Sequence, residues 1–383
     1  MTRKLFPKFN AKLLSIILGA VAGVGVFVFQ SVYAQPGKKY FDDVRKMRNK
    51  VFKDVDTVKR QLADIRKDIL RRNLKFQVEM TEALKYQIGV ITGAKTPMGL
   101  DNEIKVQNKR AELLWGYYLN KHRKKERKDD SSGEERIIKK KKKKVIKKKK
   151  KIKTDIVNVP NPNARAFNWR DRGMMTPVRH QRQCGCCWAF ASAAVIEANI
   201  KIRRKYFIDT SEQHMLDCAV DRYGRKAGSC NGGWYGKVFD YLSRKSANTE
   251  RWNPYKARDM FCRASRYSRY KVAAWGYLGS LSRLPSVRDI KVALAKYGPV
   301  AACVKVTPAF QAYRGGIFDE RARVSSPRDI NHAIVIVGWD DNKRSFLIKN
   351  SWGTRWGING YMWIEYGCNN IGFGSAWAVV TRK

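Results

Sequence analysis

Apolar positions recur along this chain in three rhythms. In the first, Val51, Val55, Val58, Leu62, Ile65 and Ile69 step alternately by four and three residues, with Lys, Arg and Asp on the other faces. That spacing predicts a coiled-coil-like helix in a region beginning near Tyr40. The stretch TGAKTPMG breaks it and LDNEIKVQNKRAELLWGYYLNKHRKKE reads as a second helix, so residues 40 to 128 are expected to form a helical hairpin. The second stretch has no period: residues 121 to 153 are dominated by lysine, hold no aromatic side chain and cannot bury enough surface to fold alone. In the third, a helical stretch from Cys187 to about Arg204 is followed by Gly-rich turns around GSCNGGW. Then come GPVAACVKV, HAIVIVGWD, RSFLIKNSW and GYMWIEYG, short apolar runs that read as strands. Helices first and an antiparallel sheet later predict an α+β domain. The expected organisation is a segment 1–34, a helical region 35–120, a lysine-rich disordered linker 121–158 and a globular domain 159–383.

The first segment reads MTRKLFPKFNAKLLSIILGAVAGVGVFVFQSVYAQPGKK, with basic residues ahead of an apolar run Leu13 to Phe29 and VYA before Gln35. This predicts a secretory signal cut after Ala34. The run also sits near the lower limit for a bilayer span, roughly 17 residues, so an uncut signal would act as an anchor. Export to a secreted, periplasmic or lysosome-like compartment admits disulfides among the eight cysteines.

Composition changes the picture only in part. With 383 residues and 44% hydrophobic content the chain can build a core, which excludes disorder throughout. The net charge of +46 exceeds what KKKKKKVIKKKKKIK supplies, so the folded part is basic too. Such a field keeps a protein soluble and attracts anionic partners. The lysine run lacks interleaved aromatics, so no specific nucleic acid is expected. It fits a protease-sensitive hinge, or a tether to an anionic surface or membrane.

Candidate chemistry centres on HQRQCGCCWAF, which carries Cys184, Cys186 and Cys187. A cysteine attacks as thiolate, favoured by a helix N-terminus and by an adjacent imidazolium. Cys187 opens the alanine-rich CWAFASAAVIEANIKIRR, whereas Cys184 lies one loop earlier. Of the four histidines, His122 is in the charged linker, His180 precedes the cysteines and His214 lies on a predicted helix, where a structural role is the default. His332 opens HAIVIVGW, and a chargeable residue at the mouth of a buried strand is costly unless used or paired, which favours it as the partner. No second C-x-x-C accompanies the first, and Cys218, Cys230 and Cys262 are far apart, so no metal and no cofactor is expected.

QRQCGCCWAFASAAVIEA resembles the active-site segment of the papain and cathepsin family of cysteine peptidases. SEQHMLDC with SCNGGW, then NHAIVIVGW, then IKNSWGTRWGINGYMWI match further blocks in order, across about residues 165 to 383. The resemblance implies a two-lobed domain, one lobe helical and the other an antiparallel, β-barrel-like sheet. It implies that Cys187 is the nucleophile, that His332 pairs with it and protonates the leaving amine, and that Asn350 orients the imidazole under the shield of Trp352. Gln181 and the Cys187 N–H would form the oxyanion hole, and Gly233 would pair with a substrate strand. The implied disulfides are Cys184 with Cys230 and Cys218 with Cys262, leaving Cys187 free. A third bridge is not expected, because IFDERARVSSPRDINH carries no cysteine and Ile371 stands at the partner position. Cys186, Cys303 and Cys368 receive no bridging or catalytic role.

A P2 pocket lined by Trp234, Tyr235, Cys303, Ile330, Ala333 and Ala376 is implied, which points to a hydrophobic or aromatic P2 residue. No histidine-bearing insertion is visible, which favours endopeptidase action. The helical region lacks the family's Glu, Arg, Phe and Asn series, yet its position suggests an inhibitory prosegment; the bland reading is a spacer or oligomerising stalk. The expectation is an exported papain-like cysteine endopeptidase, made as a precursor and acting on proteins or peptides. The alternative is an inactive peptidase-fold surface protein that binds anionic partners through its basic regions. The complete set Gln181, Cys187, His332 and Asn350 argues against decay.

Overall fold

The computed structural model describes residues 42, 46, 49–140, 159–263, 270–280 and 283–382. The signal-like segment 1–34 and the rest of the lysine run, 141–158, lie outside them. Apart from residue 42, the described residues belong to one unit, Lys46–Lys383. No helix among them is long and apolar enough to cross a membrane.

Asp54 accepts the backbone N–H of Thr57 at 2.8 Å and Asn73 closes the far end in the left-handed region, so helix α1 spans Val55–Arg72. Its seam meets two one-turn helices, Glu82–Lys85 and Pro308–Ala312, and no long partner among the described residues. Val58 and Leu62 pack on Leu84 and Ala312. The chain then forms strand β1 (Phe76–Val78) and single turns of helix at Glu82–Lys85 and Ile88–Ile91, before helix α2 (Leu100–Lys140) begins. The expected hairpin is therefore absent among the described residues, because the apolar face of α1 packs on Leu84 and Ala312 while that of α2 packs on the globular core. Residues 121–140, expected in a disordered linker, are helical, in keeping with the helix propensity of Lys, Arg and Glu.

The globular domain has a helical side made of α3 (Cys187–Arg204), α4 (Glu212–Cys218) and α5 (Tyr235–Arg244), with α6 (Val287–Tyr297) against the sheet. Helix α3 is alanine-rich and buried almost all round, as a helix at the centre of a core must be. The strands are β2 (Ala166–Asn168), β3 (Gly228–Ser229), β4 (Gly232–Gly233), β5 (Tyr270–Tyr277), β6 (Val300–Val304), β7 (Tyr313–Phe318), β8 (His332–Asp340), β9 (Ser345–Lys349), β10 (Tyr361–Glu365) and β11 (Phe373–Arg382). One sheet runs β1-β7-β10-β9-β8-β6-β11-β5 with β2 beside β8, and only β7 and β10 pair parallel. The fold is α+β, and the four apolar runs are β6, β8, β9 and β10. One edge strand, β1, comes from the N-terminal region: Phe76 lies opposite Gly316 of β7.

Candidate active site

Cys187 is the first residue of α3, and the turn before it is tied down by the disulfide Cys184–Cys230. A second disulfide joins Cys218 to Cys262. The helix tip points at the start of β8, where the N–H of Ala333 donates to Cys187 Sγ at 3.3 Å. His332 precedes it. Antiparallel pairing of β8 with β9, Val335 opposite Lys349, brings Asn350 beside the imidazole, and His332 Nε2 lies 2.8 Å from Asn350 Oδ1. The Trp352 ring lies over that contact, its centroid 4.7 Å from that of His332. Gln181 stands on the other side of the helix tip, donating through Nε2 to Cys184 O at 2.8 Å. Its Oε1 is held by the Ser351 hydroxyl at 2.6 Å. Sequence reasoning missed Ser351; its signal was a hydroxyl inside NSWG.

The other histidines lie elsewhere. His214 is buried on α4 between the Tyr241 hydroxyl at 3.2 Å and the N–H of Asn248 at 3.3 Å, the structural role expected of it. His180 faces Glu82 at 3.7 Å, and His122 is on α2.

The cleft between the lobes is occupied by the chain itself. Ile91 O accepts from Gln181 Nε2 and from the Trp352 indole, each at 3.2 Å. The N–H groups of Gly93 and Ala94 donate to Asn331 O at 2.8 and 2.9 Å. Gly233 donates to Gly93 O at 2.8 Å and accepts from Lys95 N–H at 3.1 Å, so the backbone pairing expected of Gly233 is made with an internal strand, in parallel. A side chain at Gly233 would meet Ala227 O at 2.5 Å, and one at Gly93 would meet Gly185 O at 1.8 Å. The occupying residues belong to TGAKTPMG, whose small side chains read in the sequence only as a break.

This cover decides the electrostatics. Cys187 and His332 are fully buried. Burial pushes the Cys187 thiol up to about 12, against the pull of the N–H groups of Ala333 and Gly93. Burial also pushes the His332 imidazole down to about 4, against its bond to Asn350. The pair is therefore thiol and neutral imidazole while the strand lies over it. The thiolate expected at the helix tip is not met in this covered state, because the strand excludes the water that would solvate charge. Behind the site, Glu197 and Glu212 on the helical side face Lys349 and Arg179 across the lobe boundary, with Lys349 lowered to about 8 by burial. These groups were also missed, since nothing in their spacing marks them.

The residues expected around a P2 pocket converge beside Gly233. Cys303 lies opposite Ala333 in the β6–β8 pairing and Ala376 opposite Ala301 of β6. Tyr235 donates to Gly374 O at 2.6 Å, Cys303 Sγ is 3.5 Å from its hydroxyl, and Trp234 and Ile330 are buried with them. Cys186 is buried with its sulfur 3.0 Å from the Tyr255 hydroxyl, and the Cys368 sulfur accepts the N–H of Arg321 at 3.3 Å. Both are free, as are Cys187 and Cys303.

A family described as "Papain family cysteine protease" matches residues 163–381. The chain is 33% identical to fruit bromelain of Ananas comosus over 225 residues, covering 57% of this chain and 59% of that protein. It is 32% identical to cathepsin S of Bos taurus over 215 residues, covering 53% and 61%. The matched part thus spans about three-fifths of the curated relatives' length. Among solved structures, digestive procathepsin L 3 from the Tenebrio molitor larval midgut shares the fold with a TM-score of 0.60 at 19% identity. That likeness covers 89% of this chain and 98% of that one, so it takes in much of the N-terminal region.

Proposed function

The chain belongs to the papain family of cysteine proteases, and from that premise we propose that it is an endopeptidase made as an inactive precursor. Once the cleft strand leaves, water reaches Cys187 and His332 and the proton moves from sulfur to imidazole. The thiolate, at the positive end of α3, attacks a peptide carbonyl, and the oxyanion is held by Gln181 Nε2 and the Cys187 N–H; one such donor is worth about 3 kcal/mol. His332, steered by Asn350, protonates the leaving amine, and water then hydrolyses the acyl-enzyme. The observation that carries this reading is the 2.8 Å contact of His332 with Asn350 one residue from the N–H that touches Cys187 Sγ.

The precursor state is supported by the segment from Ile91 to Lys95, which uses up the pairing groups of Gly233 and the amide of Gln181. Cutting after Met98 and labelling with an epoxide inhibitor of this class should modify Cys187 alone, with Cys187→Ala unlabelled. Labelling at another cysteine would overturn the assignment. A hydrophobic P2 residue is proposed from the walls beside Gly233, where the cover itself places the small apolar Ala94. A peptide library that selects Arg at P2 would contradict it. Export by cleavage after Ala34 is tested by the N-terminus of the secreted protein, expected at Gln35. Contact of the lysine run with an anionic surface rests on charge alone. Sedimentation with anionic vesicles that is unchanged when residues 139–153 are replaced by a Gly/Ser linker would remove it.

A further inference from the structure

Strand β5 ends the sheet, so Trp275 C=O and Tyr277 N–H point away from β11 toward what would be water. Helix α2 takes both. Gln107 Nε2 donates to Trp275 O at 2.7 Å, and Asn108 Oδ1 accepts the N–H of Tyr277 at 2.8 Å. Ala111 lies against Gly276, where an added Cβ would come within 2.9 Å of it. One turn on, Trp115 sets its edge against Tyr297 and Trp377, which stack on each other at 3.7 Å, and Lys296 lies over its face at 5.7 Å. Leu100, Ile104, Ala111 and Tyr118 are buried in the same core as α3 and β8. Toward the cleft, Glu103 accepts from the Tyr277 hydroxyl at 3.1 Å, and that hydroxyl accepts the Trp234 indole N–H at 2.9 Å, next to Gly233. None of these contacts passes through the cover over Cys187. The chain between the two elements surfaces at Met98 and Gly99, with Met98 100% accessible.

We infer that α2 is a permanent part of the catalytic body. It stays bound to β5 as a separate, non-covalent chain after the precursor is cut on both sides of it, while only the segment up to the cleft strand departs. The partner this sheet edge fits is an amphipathic helix bearing side-chain amides one residue apart and an aromatic two turns on, and the chain supplies it. The inference rests on the peptidase reading only in equating loss of the cleft strand with maturation.

The test uses the full chain with one specific protease site inserted after Met98 and a second within residues 141–153. Both are cut, and the mixture is run on native size exclusion, followed by mass spectrometry and a peptide hydrolysis assay. The α2 fragment is expected to co-elute one to one with the catalytic fragment, and the fragment bearing α1 to separate. Gln107→Ala with Trp115→Ala should raise the dissociation constant of the α2 fragment at least tenfold, and Leu113→Ser, on the exposed face, should leave it unchanged. An α2 fragment that elutes alone from an active catalytic fragment overturns the inference and leaves the peptidase reading standing. A retained fragment with no hydrolysis does the reverse.

Discussion

Two neighbouring parts of the N-terminal region grip the same domain by different means. The cleft segment from Ile91 to Lys95 is held through backbone hydrogen bonds to Asn331 and Gly233 and carries the small Gly93 and Ala94 into the cleft. Helix α2 is held through buried apolar and aromatic side chains and two side-chain amides on an edge strand. The first kind of contact is open to competition, since any extended peptide offers the same groups. The second depends on particular side chains and on a glycine opposite them. A short stretch of chain thus passes from an element suited to leaving to one suited to staying.

Changes aimed at each element should separate them. The largest effect is expected at Gly93, because a branched side chain cannot share space with Gly185 O. Gly93→Val should raise the reactivity of Cys187 in the uncut chain roughly a hundredfold, about 3 kcal/mol, with α2 unaffected. Unchanged reactivity would mean that the strand does not control access. The next contrast is mild acid. Covered, the pair holds one proton, on the Cys187 thiol, and opened it holds one, on the His332 imidazole, so the population of opened cleft, read by thiol labelling, should stay level between pH 7 and 5. Helix α2 should bind more tightly over the same range, since burial raises the Glu103 carboxyl and a proton there favours the docked form. A parallel change in both would merge the two elements into one. The smallest effect is Asn108→Ala, which strands one N–H of β5 at a cost of about 1 kcal/mol, seen as a fall of a few degrees in Tm with the cover intact.

Much of the catalytic body was legible in the sequence. A cysteine at the start of an alanine-rich helix and a histidine at the mouth of an apolar strand both stand where they were expected. Gln181, Asn350, Gly233 and both disulfides came from the family likeness, since no local pattern links residues so far apart. The cover was not legible because TGAK has no period; its meaning lies in the groups of Gly233 and Asn331 that it meets. The hairpin was misread for a related reason: the spacing of Val58 and Leu62 announces a buried face without saying that Leu84 and Ala312 bury it. The direction of the Cys187 shift was hidden too, because a helix tip favours thiolate only while solvent can reach it.

The most direct measurement is the pH profile of Cys187 toward a small disulfide probe, taken on the uncut chain and after cutting behind Met98. The account predicts that the uncut protein reacts only in strong alkali, whereas the cut protein reacts from acid to neutral pH as a thiolate paired with His332, and that His332→Ala abolishes that low-pH limb. Superimposable profiles before and after cutting, or a low-pH limb that survives His332→Ala, would contradict it.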